Sequence, residues 1–172
     1  PPVVELTPLV QALKTSKGTT ASRRLPPLFH TSEEREQFTA RHSKAHVVRR
    51  PLEEASGDAW LGFDSGSTTV KAVLLDSDGA ILFSSYGSNK GDPLAAAANI
   101  LKEIYRRKQD SLTIRAAGAT GYGSALLSAA FGVDLDEVET VAHFKAARHF
   151  DPEVTFVLDI GGQDIKCMRI KN

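Results

Sequence analysis

The chain has 172 residues, 41% of them hydrophobic, so it is long enough for one domain with a real core plus an extended segment. Lysine and arginine number 21, as do aspartate and glutamate, and the net charge of zero predicts no general attraction to nucleic acid or membranes. The single cysteine excludes an internal disulfide, and no apolar run has the length of a membrane span or a signal peptide. A cytoplasmic protein is therefore expected.

The first third of the chain, residues 1–57, differs in composition from the remaining two thirds. Turn and coil residues recur at 1–2, 16–22 and 26–27. Residues 32–46 begin with a capping residue and an acidic first turn, which predicts a polar helix. Because few residues of the segment are apolar, we predict a partly helical or disordered connector without a core of its own. The chain begins with Pro1 rather than methionine, so we expect a piece of a longer protein.

Strand and helix patterns occupy the chain from residue 58 onward. In chain order they predict strands at 59–63, 70–75 and 80–86, a helix at 93–108, a strand at 112–119, a short helix to 130, a brief strand near Val138 and a helix at 142–150. Residues 76–79 form a short turn, so the strands beside it are expected to pair antiparallel. A last strand pair is predicted within 155–170. The order indicates an α/β unit with a mixed sheet over 58–152 and the first hairpin of a second unit at 153–172.

An acidic glycine turn interrupts the first strand pair, at residues 61–73 (LGFDSGSTTVKAV). Asp64 ends a strand, and Gly66 lets the backbone fold tightly after it. The turn offers hydroxyls, backbone N–H groups and one amine, from Ser65, Ser67, Thr68, Thr69 and Lys71. These are the hydrogen-bond donors that a polyphosphate needs.

A second turn of the same chemistry lies at residues 157–166 (VLDIGGQDIK). Asp159 ends a strand of buried type, and Gly161 and Gly162 permit close approach of the backbone to a ligand. Either turn alone is more often a plain hairpin. Together, carboxylates at two strand ends could hold Mg²⁺ through water beside a phosphate chain. The sequence contains neither a P-loop nor a G-x-G-x-x-G motif.

Three segments combine into a family resemblance: residues 64–71 (DSGSTTVK), 119–123 (ATGYG) and 159–164 (DIGGQD). Together they resemble the actin, sugar kinase and heat-shock chaperone ATPase superfamily. Within it, the chain resembles, from about Trp60 to its end, the activators of 2-hydroxyacyl-CoA dehydratases and benzoyl-CoA reductases. Residues 139–147 are similar to the large activators that carry two modules. The resemblance implies a ribonuclease-H-like, actin-like ATPase unit, with residues 1–57 as the connector between modules.

The resemblance also implies an activity, which is ATP hydrolysis coupled to delivery of one low-potential electron from an iron–sulfur cluster. The implied partners are ATP, a dehydratase or reductase component and a second activator module, with a homodimer left open. Asp64 and Asp159 would then organise Mg²⁺ and water, and Gln163 would position the attacking water. Phosphate contacts would come from Gly66, Ser67, Thr68, Thr69, Lys71, Gly121, Gly161 and Gly162.

The chain departs from the family pattern at the ligands of the iron–sulfur cluster. Ala142 stands where smaller activators have a cysteine ligand, and we identify no iron–sulfur ligand in this chain. We interpret Cys167 as a small buried residue. We interpret the neighbouring His143 as a helix residue with local hydrogen bonds.

Three functions remain open from the sequence. The first is the activator-type ATPase, of which this chain holds one lobe and little of the adenosine site, so that weak or absent hydrolysis is expected. The second is a non-catalytic module of a two-module activator that senses nucleotide or serves as a scaffold. The third is a sugar or carboxylate kinase of the same fold, which would need a catalytic carboxylate on the substrate side.

Overall fold

A computed structural model describes residues 5–15, 25–161 and 165–171. They fall into two compact units, Pro1–His46 and Val47–Asn172. The division at residues 57 and 152 that the sequence suggests stays a prediction.

The first unit contains two helices, α1 (Leu6–Thr15) and α2 (Ser32–His42). Helix α2 is the predicted polar helix; its cap is Thr31, whose side chain accepts a hydrogen bond from the backbone of Glu34 at 3.2 Å. Helix α1 was missed, because the composition of the whole segment obscures its apolar positions. Neither helix contains a buried residue.

A five-stranded mixed sheet is the centre of the second unit. Its strands are β1 (Gly57–Ser65), β2 (Thr69–Asp76), β3 (Ile81–Ser88), β4 (Leu112–Thr120) and β5 (Leu135–Asp136), in the order β3-β2-β1-β4-β5. Strands β1, β2 and β3 pair antiparallel, whereas β4 is parallel to both β1 and β5. This arrangement confirms the predicted α/β unit with a mixed sheet.

Three helices and a separate hairpin complete the second unit. The helices are α3 (Pro93–Arg107), α4 (Ser124–Phe131) and α5 (Glu139–Phe150), and the hairpin consists of β6 (Phe156–Ile160) and β7 (Ile165–Arg169). Two predicted positions are wrong by a few residues. The fifth strand lies at 135–136 instead of near Val138, and α5 begins at Glu139 instead of Ala142. Strand β5 pairs with Gly118 and Ala119 of β4, so its position depends on a tertiary pairing that no local pattern reveals.

Side-chain hydrogen bonds fix one hairpin turn and the start of one helix. Asp76 Oδ1 accepts hydrogen bonds from the backbone N–H groups of Asp78 and Ala80, at 3.0 and 2.9 Å, and so closes the hairpin between β2 and β3. Burial opposes ionisation of Asp76, but these two N–H donors and the Arg50 guanidinium hold its pKa below the ordinary value. Asp92 caps α3 by accepting from Ala95 N at 2.9 Å.

The core lies where α3 and α4 pack on the sheet. Its members come mainly from strands β1 to β4 and helices α3 and α4. The largest fully buried apolar side chains are Leu52, Leu74, Ile104, Leu112, Leu127 and Val70. The strand ends of β1 and β4 are thereby held rigidly beside each other. The rigid edge matters because Asp64 and the turn after β4 lie there.

Candidate functional site

The first acidic turn is a closed hairpin in which an ion pair joins its two strands. Asp64 on β1 faces Lys71 on β2 in the strand register. Lys71 Nζ donates to Asp64 Oδ2 at 2.6 Å, and this hydrogen bond raises the pKa of the Lys71 amine above its ordinary value. The lysine therefore stays charged at the mouth of the turn.

Asn89 braces the same turn from a distance in sequence. Its side-chain amide donates to the carbonyl oxygens of Gly66 and Ser67, both at 3.1 Å, while its backbone N–H donates to Thr68 O at 2.9 Å. Asn89 is buried, with 5% of its surface exposed. Sequence reasoning missed this residue, because nothing local links it to a turn more than twenty positions earlier.

The turn after β4 packs directly on the end of β1. Gly121 has a φ of +87°, and a Cβ there would lie 2.6 Å from Ser65 O and 2.8 Å from Asp64 Oδ1. A Cβ on Gly123 would overlap Ser65 Oγ, and Gly123 N donates to Ser65 O at 2.8 Å. Both glycines are needed for this approach. Between them, Tyr122 is 86% exposed.

The second acidic turn meets helix α5 through two polar contacts. Asp159 Oδ2 lies 2.9 Å from His143 Nδ1, and Lys166 Nζ lies 3.2 Å from Glu139 Oε1. The interpretation of His143 as a locally bonded residue is therefore wrong, since its partner is 16 positions away. Because α5 begins at Glu139, that carboxylate and His143 stand one helical turn apart.

A cleft of about 360 Å³ connects the two turns. Its lining residues are Asp64, Gly66, Ser67, Thr68, Thr69, Lys71, Tyr86, Tyr122, Glu139, Gly161 and Lys166. Asp159 adjoins the cleft beside Glu139, since a carboxylate oxygen of one residue lies within 4.8 Å of a carboxylate oxygen of the other. Gly121 is not a lining residue, but it lies against Asp64 and Ser65. The predicted residues Gly162 and Gln163 lie outside the described residues.

Four lining residues were not among the predicted site residues: Tyr86, Tyr122, Glu139 and Lys166. Tyr86 faces Lys71 across the β2–β3 pairing, and its ring centroid lies 5.9 Å from the lysine amine. Glu139 begins the segment 139–147 and Lys166 ends the second acidic turn, but only tertiary folding brings their side chains together. Their charges complement each other, as those of Asp64 and Lys71 do.

The donor set of the cleft fits a polyphosphate. Two amines, several hydroxyls and the turn's backbone N–H groups can hydrogen-bond to phosphate oxygens. Carboxylates from both turns can hold Mg²⁺ through water, because this ion combines a few carboxylates with substrate phosphates. Asp64 and Asp159 are 21% and 24% exposed, so solvent and ion can reach both.

The chain does not fit an iron–sulfur cluster. Such clusters are held by several cysteine thiolates, and this sequence contains only Cys167. The prediction that Cys167 is buried is wrong: the residue is exposed on β7, opposite Leu158, which is itself 53% exposed. That face of the hairpin has no apolar cover among the described residues.

The helices add one further observation. Within residues 5–15, 25–161 and 165–171, every helix is too short or too polar for a bilayer span.

A mixed sheet with acidic turns that meet at a phosphate-sized cleft defines one lobe of an actin-like ATPase fold. The sequence model of the BadF/BadG/BcrA/BcrD ATPase family matches residues 61–172. The chain belongs to this family, which confirms the resemblance drawn from its three motifs.

Two of the relatives in sequence are dehydratase activators. The (R)-2-hydroxyglutaryl-CoA dehydratase activating ATPase of Acidaminococcus fermentans is 31% identical over 116 residues, which cover 65% of this chain and 42% of the relative. The 2-hydroxyisocaproyl-CoA dehydratase activator of Clostridioides difficile is 29% identical over 116 residues, covering 65% of this chain and 41% of the relative. The chain thus spans less than half the length of these relatives.

Solved structures agree with the sequence comparison. Component A of the A. fermentans (R)-2-hydroxyglutaryl-CoA dehydratase superposes with a TM-score of 0.54 at 30% identity, over 67% of this chain and 44% of that one. The activator of the 2-hydroxyisocaproyl-CoA dehydratase from Clostridium difficile, solved with bound ADPNP, gives a TM-score of 0.56 at 28% identity, over 66% and 41%.

Proposed function

We propose that this chain supplies the phosphate-binding half of the nucleotide site in an ATPase that activates a 2-hydroxyacyl-CoA dehydratase-type enzyme. The observation that carries the proposal is the meeting of both acidic turns at one cleft of about 360 Å³, with the amines of Lys71 and Lys166 on its walls. Membership of an ATPase family supports ATP as the nucleotide. Contacts to adenine and ribose belong, in this proposal, to parts of the relatives that the chain does not match.

Each residue has a chemical role in this proposal. The hydroxyls and backbone N–H groups of Ser67, Thr68 and Thr69 bind the phosphate chain, with Gly66 shaping their turn and Gly121 bringing the next turn close. Lys71 shares its ammonium between Asp64 and a phosphate oxygen, which is possible because an ammonium has three donors.

The remaining roles concern Mg²⁺ and the second turn. Asp64 and Asp159 hold Mg²⁺ through water. Gly161 and Gly162 approach the outer phosphate, and Gln163 orients the attacking water.

The partners follow from the functions of the relatives. Those proteins are activators of CoA-thioester dehydratases, so a dehydratase or reductase component is the proposed partner, together with a second activator module or a second copy. Residues 1–57 are the proposed connector, residues 58–152 the first lobe and residues 153–172 the start of the second. Since this chain does not fit an iron–sulfur cluster, no electron-carrying role is assigned to it.

Calorimetric titration of Mg²⁺-tripolyphosphate and of Mg²⁺-ATP into the chain tests the proposal. Both are expected to bind with similar affinity, because this half of the site contacts phosphates. Lys71→Met should weaken binding at least about tenfold, since a hydrogen bond to a charged group contributes about 1.5–3 kcal/mol. Asp64→Asn should remove most of the increase in affinity that Mg²⁺ provides.

Two exposed residues of matching type serve as controls. Lys102→Met and Asp110→Asn remove the same charges outside the cleft and should leave binding unchanged. Failure of both ligands to bind, or equal weakening by Lys71→Met and Lys102→Met, would overturn the proposal. Phosphate release followed in parallel is expected to be weak or absent for this chain.

A further inference from the structure

Three side chains with metal-binding atoms converge where α5 meets β6. Glu139 and His143 project from successive turns of α5, and Asp159 projects from β6. One ligand atom from each lies within 4.8 Å of the other two. We infer that Glu139, His143 and Asp159 form a direct binding site for a divalent transition-metal ion. The site is occupied without nucleotide, unlike the water-mediated Mg²⁺ of the proposed function.

The spacing of the ligand atoms suits a first-row metal ion. Neighbouring corners of an octahedron with bonds of about 2.1 Å lie about 3.0 Å apart, and opposite corners about 4.2 Å apart. His143 Nδ1 and Asp159 Oδ2 are 2.9 Å apart, which matches neighbouring corners. The Glu139 ligand atom lies within 4.8 Å of both, so side-chain rotations are needed to complete the set.

The three ligands are held more firmly than a cluster of surface acids. Glu139, His143 and Asp159 are 28%, 31% and 24% exposed, so each is mostly packed yet reachable by solvent. Two of them share one face of a helix, because residues four apart are neighbours there. The third is fixed by the β6–β7 ladder, in which it pairs with Lys166.

The chemistry of the ligands selects the class of ion. An imidazole suits Zn²⁺, Co²⁺ and related ions, whereas Mg²⁺ prefers oxygen ligands throughout. Two carboxylates give the site two negative charges, which balance a divalent cation. Six-coordination leaves positions for water beside a cleft that phosphate oxygens can enter.

Lys166 competes with the ion for this position. Its ammonium lies 3.2 Å from Glu139 Oε1 and supplies positive charge to the site. An ion that binds Glu139 must displace this ammonium, which the flexible four-carbon stem of lysine permits. Removal of the charge should therefore raise metal affinity, whereas removal of any ligand should lower it.

Titration of Co²⁺ into tag-free chain without nucleotide, followed by visible absorption and by competition with Zn²⁺, tests this site. All proteins carry Cys167→Ser, so that the chain's only thiol cannot bind the metal. His143→Ala and Glu139→Gln should each weaken binding at least about tenfold, since even partners outside the ligand shell contribute about 10–100-fold. Lys166→Met should tighten binding.

The matched control is His149→Ala, which removes an exposed histidine from the same helix. Its metal affinity should stay within about twofold of the parent's, and circular dichroism should give the same helix content for every variant. Equal Co²⁺ affinity in His143→Ala and His149→Ala would overturn the site, as would displacement of Co²⁺ by equimolar Mg²⁺. If His143→Ala loses helix content, the affinity of Glu139→Gln decides in its place. Mg²⁺-tripolyphosphate binding by the same variants separates failure of this site from failure of the phosphate cleft.

Discussion

The contact between the turn after β4 and the end of β1 leads to a prediction about one glycine. Gly121→Ala places a methyl group 2.6 Å from Ser65 O and 2.8 Å from Asp64 Oδ1, at a φ of +87°. The left-handed backbone costs an alanine about 1 kcal/mol. Relief of the overlap requires backbone movement that costs about 2 kcal/mol more. We therefore expect a loss of about 3 kcal/mol in the free energy of unfolding.

Gly132→Ala provides a matched control. Gly132 also has a positive φ, +65°, at the end of α4, but a Cβ there meets nothing within 4 Å. Its replacement should cost only the backbone term of about 1 kcal/mol. The two variants should differ by about 2 kcal/mol, or about 8 °C in Tm for a unit of this size.

Urea unfolding followed by circular dichroism measures this difference. The same proteins should also differ in binding of Mg²⁺-tripolyphosphate, because the methyl group on Gly121 presses on Asp64 whereas that on Gly132 does not. Equal stability of the two variants would refute the reasoning, since it would mean that the turn relaxes away from β1 at no cost.

Three further predictions concern the scaffold. Leu127→Ala should lower the free energy of unfolding by about 3 kcal/mol, because the side chain is fully buried; Leu126→Ala, at a position 47% exposed, should cost less than about 0.5 kcal/mol in the same urea titration. Asp92→Ala removes the cap of α3 and should cost about 1 kcal/mol, seen as a lower thermal midpoint, and an unchanged midpoint would argue against the cap. Folding lowers the pKa of Asp76, so its contribution to stability is present above the ordinary aspartate pKa of about 3.9 and is lost as pH falls through the lower folded value. Urea midpoints measured between pH 2 and 5 should therefore fall more steeply for the parent than for Asp76→Asn, and parallel curves would contradict this.

Much of the sheet could be predicted because its signals are local. Alternating apolar residues and short polar turns define β1, β2 and β3, and the predicted strands overlap the observed ones closely. The same holds for α3, where Asp92 and Pro93 mark the start. Helix α1 shows the limit of this approach, since its apolar residues stand among surroundings that are rich in turn-forming residues.

The residues of the first turn could also be identified from the sequence. Asp64, Lys71 and the hydroxyls between them are contiguous, so one short segment both forms the hairpin and presents its donors. Their roles in binding phosphate stay predictions until the titrations are made. Cys167 was placed wrongly, because an alternating strand pattern does not reveal whether another layer covers its face.

The sequence by itself determined the strand and helix order of the second unit, its two acidic glycine turns and its family, since each rests on residues that are neighbours in the chain. Only the tertiary structure decided that Asn89 braces the first turn, that Gly121 meets Asp64, and that Glu139 and His143 face Asp159 and Lys166. Each of these contacts joins residues 16 or more positions apart. The distances from Glu139 and His143 to the second turn are set by the packing of α5 against the β6–β7 hairpin, and no local pattern reveals them.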